Sequence, residues 1–88
     1  MTALSDAEAT ELGLREQIAD LVTARARAEA EARRLRARGE HMDPALLEVA
    51  ERYSAQAGRL AGEVEALRTS LREQELRTER LRAERAGA

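Results

Sequence analysis

The side chains that could do chemistry in this chain are few in kind and poorly spaced for it. The single histidine, His41, adjoins Glu40 and lies two residues before Asp43. Imidazole plus carboxylate is a metal-ligand set in type, but zinc takes three or four ligands that converge in space. Near-neighbours in one short connection hold a cation weakly, so His41 reads as an exposed turn residue. No metal and no other cofactor is expected. Glutamates recur two apart, as Glu29 with Glu31, Glu63 with Glu65 and Glu73 with Glu75. On a helix such residues point apart, so none of these pairs makes an acid–base dyad. Ser5, Ser54 and Ser70 have no histidine spaced to act as a base. The chain has no cysteine, which removes disulfides, thiolate ligands and cysteine nucleophiles. Gly58 and Gly62 fall within a helical pattern and form no phosphate-cradling loop. The expectation is a protein that is not an enzyme and has no small-molecule substrate.

One other cluster has chemical content. Residues 25–38 hold Arg25, Arg27, Arg33, Arg34, Arg36 and Arg38 against Glu29 and Glu31. Clustered arginine neutralises phosphate, so Arg33, Arg34, Arg36 and Arg38 are candidates for binding an anion, a nucleic acid or an acidic partner. Two observations favour a plainer role. No aromatic residue is interleaved for base stacking, and the formal net charge of the whole chain is −2. Arginine at the end of a helix also complements its dipole.

The elements that carry these residues follow from composition and spacing. Of 88 residues, 36% are charged and 1% aromatic, with Tyr53 the lone aromatic. Arg, Glu, Ala and Leu dominate, as in coiled coils and long helices. Such a chain builds a thin seam, not a thick core. No apolar run approaches the roughly 20 residues of a membrane span. The N-terminus lacks the basic and apolar regions of a signal peptide. A cytoplasmic protein that does not engage a membrane is expected.

The predicted fold class is all-α, with a single domain of two long helices in an antiparallel coiled-coil hairpin. Helix 1 is expected over about residues 5–38, the turn over 39–43, and helix 2 over about residues 44–85. Ser5 and Glu8 have capping-box spacing at the start of helix 1. Gly39 is the expected left-handed stop, Asp43 the cap of helix 2, and Pro44 its first residue. Apolar residues then recur at alternating intervals of three and four. In helix 1 they run from Leu4 and Ala7 through Glu11, Leu14, Ile18, Leu21, Arg25, Ala28 and Ala32 to Leu35. In helix 2 they run from Leu46, Ala50, Tyr53, Ala57, Leu60, Val64, Leu67 and Leu71 through Gln74 and Thr78 to Leu81. That is the coiled-coil signal. Facing residues whose numbers add to 85 bring each a-type position against a d-type position, as in Leu21 with Val64, and the acidic Glu11 against the amide of Gln74. The basic end of helix 1 then adjoins the acidic start of helix 2, and the acidic start of helix 1 adjoins the basic end of helix 2.

One local likeness exists. Leu14-Arg15-Glu16-Gln17-Ile18, followed by Arg25, is similar to the first helix of the small all-helical chorismate mutases. It covers only Leu14 to Arg25. That family works with an active-site lysine and a third helix. This chain has no lysine and no second break, so no site residue carries over.

A lone seam of this kind buries little, which points to a covered second face. Leu12 and Val22 lie off the seam in helix 1, and Leu47 and Val49 flank Leu46 near the turn. Ala55, Gly58, Gly62 and Ala66 form a strip of small residues on helix 2. Mid-helix glycine costs about 1 kcal/mol relative to alanine, so this strip suggests close approach of another backbone. The expected partner is protein, foremost a second copy in a four-helix bundle or a larger assembly. The functional expectation is a non-enzymatic adaptor, scaffold or assembly subunit.

Overall fold

The computed structural model describes residues 2–87. Two helices make up almost all of it: α1, Ala3–His41, and α2, Ala45–Gly87. They pack against each other as a hairpin. The rod measures 69 × 17 × 13 Å, with a radius of gyration of 19.7 Å, against about 12 Å for a compact domain of this length. Among the described residues, no helix is long and apolar enough to cross a membrane.

Helix α1 begins earlier than the Ser5 capping box implies. Thr2 is the cap: its backbone is extended, and its side-chain oxygen accepts the Ser5 N–H at 3.1 Å. The reason is the seam itself. Leu4 is the first seam residue, so a helix that uses it must start before it.

The turn also differs from the expectation. Gly39 is not a left-handed stop; no glycine among the described residues has positive φ. α1 runs through it to His41, and only Met42, Asp43 and Pro44 separate the helices. Proline disfavours helical backbone in the residue before it, so Pro44 ends α1 where glycine does not. Asp43 caps α2 as its position implies, its Oδ1 accepting the Ala45 N–H at 3.0 Å. Gly39 has a packing role instead. It occupies the next seam position after Leu35 and is buried. A Cβ there would stand 2.8 Å from Leu47 Cδ2 and 3.0 Å from the Leu47 backbone nitrogen. Glycine lets the two chains close directly behind the turn.

Every predicted seam position is buried or half-buried. Within the layers, the small residue lies deepest. Ala7, Ala28, Ala32, Ala50 and Ala57 are buried, with Leu35 and Val64, whereas Leu14, Ile18, Leu21, Leu60, Leu67 and Leu71 are only half-buried. A two-helix seam covers a large side chain from one side only, so each of these keeps one edge in water. Two polar seam residues are accommodated locally. Thr78 is fully buried, and its hydroxyl donates to the Gln74 carbonyl at 2.9 Å. The Gln74 amide donates across the seam to the Ala7 carbonyl at 3.4 Å, and among the described residues no hydrogen bond joins it to Glu11.

Candidate functional site

Writing the seam positions as a and d of a heptad, with Leu4 at a, assigns every other residue to a side. Residues at e flank the seam on one side, with b beyond them; residues at g flank it on the other, with c beyond. The two sides differ.

On the e side the helices are latched. Arg82 lies 3.6 Å from Glu8, Arg15 lies 3.4 Å from Glu75, and Arg36 donates to the Ser54 hydroxyl at 3.1 Å. All six are e residues, and each pair of numbers adds to 90, the regular spacing of one antiparallel register. Arg15 also holds the buried Glu11 carboxylate at 3.2 Å. Glu8, Glu11, Glu75 and Glu79 with Arg15 and Arg82 line a polar recess here. It has the carboxylates for acid–base work, but Arg15 occupies two of them and Arg82 a third, so the cluster serves as a clasp.

The expected charge pairing is present only at this open end of the hairpin. At the turn end no ion pair crosses among the described residues. Ser54 stands where an acid would be needed, Arg34 turns to Glu31, and Arg52 pairs with Glu48. The hydrogen bond from Arg34 holds the Glu31 carboxyl below the ordinary Glu range, and Glu31 in return raises Arg34.

On the g side no flanking side chain bridges the helices among the described residues. Thr10, Gln17 and Ala24 on α1 and Val49, Gln56 and Ser70 on α2 are uncharged flanks. Halfway along, a mainly apolar groove opens over the seam, lined by Gln17, Asp20, Leu21, Glu63, Ala66 and Leu67. Charge on this side is sorted about the groove. Toward the turn stand Arg27, Arg34, Arg38, Arg52 and Arg59, with Glu31 and, at the groove itself, Glu63 as the acids at g or c positions. Toward the open end stand Asp6, Glu73 and Glu84, with Arg77 and Arg80, while Asp20 lies in the groove.

The predicted site residues distribute accordingly. Arg33 and Arg36 fall on the e side, Arg34 and Arg38 on the g side, so the four make no single anion patch. Arg25 is engaged by Glu29 at 2.9 Å. The arginine group that does share a face recruits Arg52 and Arg59 from α2 beside Tyr53, which a reading of α1 alone misses; the heptad letters were the signal. Leu12 and Val22 are exposed, at 57% and 40%. Leu47 is drawn against Gly39 and is half-buried, as is Val49. Ala55, Gly58 and Gly62 lie on the outer face, and a Cβ at either glycine would meet nothing within 4 Å. Close packing inside this hairpin therefore does not account for those two glycines. Ala66 departs from that strip and forms part of the groove wall. His41 is exposed in the last turn of α1, and among the described residues no three His, Cys, Asp or Glu side chains converge as a metal site would need. The chain matches no family model, and comparison with characterised proteins and with solved structures gives no match.

Proposed function

We propose that this protein is a non-enzymatic helical-hairpin interaction module, a small adaptor, scaffold or assembly subunit that works by packing helices against helices. The observation that carries this reading is the incomplete burial of its seam. Leu14, Ile18, Leu21, Leu60, Leu67 and Leu71 each keep an edge in water, and Leu12, Val22 and Leu76 are exposed outright. Fully burying a leucine is worth about 1.5–3 kcal/mol, and a lone hairpin forgoes part of that at each layer. A partner helix laid along the rod recovers it.

The test is molecular mass by sedimentation over a wide concentration range, with helicity and melting followed on the same samples. The expected outcome is association, with a melting temperature that rises with concentration or on adding a partner. A monomer that is fully helical and melts identically at every concentration, with or without partners, refutes the reading. The anion-binding alternative is weaker, because it needs Arg33, Arg34, Arg36 and Arg38 on one face. It would be favoured by binding to duplex DNA that falls steeply with salt.

A further inference from the structure

We infer that the open end of the hairpin is a clasp that salt releases. Its two arms, residues 3–11 of α1 and 74–87 of α2, part as a unit while the rest of the rod stays closed.

The two ends of the rod are held by different forces. Between Leu14 and Leu21 on α1, and between Val64 and Leu71 on α2, every seam residue is apolar. Beyond Leu14 and Leu71 the seam is interrupted by Glu11, Gln74 and Thr78, and only Leu4 and Leu81 resume it with large side chains. Two of these polar groups are satisfied within their own helix. The Thr78 hydroxyl donates to the Gln74 carbonyl at 2.9 Å, and Arg15 holds the Glu11 carboxylate at 3.2 Å. Neither bond joins the helices, so the arms lack most of the apolar burial that closes the middle. What does join them is electrostatic: Arg82 with Glu8 at 3.6 Å, Arg15 with Glu75 at 3.4 Å, and the Gln74 amide on the Ala7 carbonyl at 3.4 Å. The side chains of both ion pairs are 42% to 55% exposed, within reach of screening ions. Net charge acts in the same sense. Residues 3–11 hold three acids and no arginine, and residues 74–87 hold four arginines against three acids, so the arms attract each other until salt screens them. At the turn end no ion pair crosses among the described residues, the chain itself joins the helices, and Gly39 lets Leu47 close in. Salt therefore loosens one end alone, as a local opening below the global one. Parting bares Leu4, Ala7 and Leu81, and the clasp governs when that stretch of seam can pack against another helix.

The chain lacks cysteine, so spin labels can be placed in pairs on introduced thiols. A9C with A83C reports the arms, and A30C with A55C reports the half nearer the turn; all four positions are exposed. Each labelled chain is diluted into unlabelled protein, so that pulsed electron paramagnetic resonance reads distances within one hairpin. In low salt both pairs should give a single narrow distance. In roughly 1 M sodium chloride, where the screening length falls to about 3 Å, the Ala9–Ala83 distance should lengthen and broaden while Ala30–Ala55 holds. In low salt E8R and R82E should each open the arms, and E8R/R82E should close them again by restoring the pair in reverse. E11L/Q74L completes the apolar seam and should keep the arms closed in high salt. The Ala30–Ala55 distance shows in every variant that the rest of the hairpin is folded. Arms that are open in low salt, arms that stay closed in high salt, both label pairs opening together, or a reversed pair no better than either single variant would each overturn the clasp.

Discussion

The three mid-chain glycines give opposite predictions because their surroundings differ. At Gly39 a methyl group would press on the Leu47 backbone nitrogen at 3.0 Å. G39A gains helix propensity but forces the helices apart behind the turn, and overpacking costs about 1–3 kcal/mol. We expect net destabilisation by G39A and a larger loss with G39L, read by thermal melting. G58A and G62A should each stabilise by up to about 1 kcal/mol, since alanine is the better helix former and the space is open. Glu11 is the other informative residue. It is 6% exposed in an apolar seam, and its ion partner is Arg15. Replacing a buried ion with a hydrophobe of similar volume is often neutral or stabilising. E11L should therefore raise stability by about 1 kcal/mol or more, whereas R15A, which leaves the carboxylate unpaired, should lower it. For Glu31 the sign follows from its lowered pKa. Its contribution is present above the ordinary value of 4.5 and disappears as pH falls through the folded-state value. Wild type and E31Q should then melt together in acid and diverge, slightly, at neutral pH.

Each helix is governed by its ends and by one stripe. The stripe was legible in the sequence because helical periodicity is a local property: residues three and four apart share a face whatever the rest of the chain does. All the predicted seam residues lie at the interface for that reason. The ends were less legible. Several residue types can cap or stop a helix, and the choice depends on what the flanking residues must do. Thr2 displaces Ser5 because Leu4 must be helical, and Pro44 displaces Gly39 because Gly39 is needed at the crossing point. T2A should fray the first turn and cost about 1 kcal/mol. A double substitution L21D/L67D places two carboxylates within the seam and should abolish helicity; unchanged circular dichroism and melting would remove the antiparallel seam from consideration.

As a whole the molecule is a rod with one latched side and one open side. Its length should show as early elution and a high frictional ratio for a 9.7 kDa chain. A concentration-dependent melting temperature is the whole-molecule prediction, because the half-buried leucines gain their remaining burial only from another helix. The amino-acid sequence by itself determined the helices, the stripe each buries, the antiparallel direction and the centre of the fold, since all of these follow from local spacing and from one break. Only the tertiary structure decided which glycine serves as a crossing point, which arginines share a face, and that the two edges of the seam are unlike. Those features depend on what lies opposite each residue on the other helix, and one helix's periodicity carries no information about its neighbour until the register joins them.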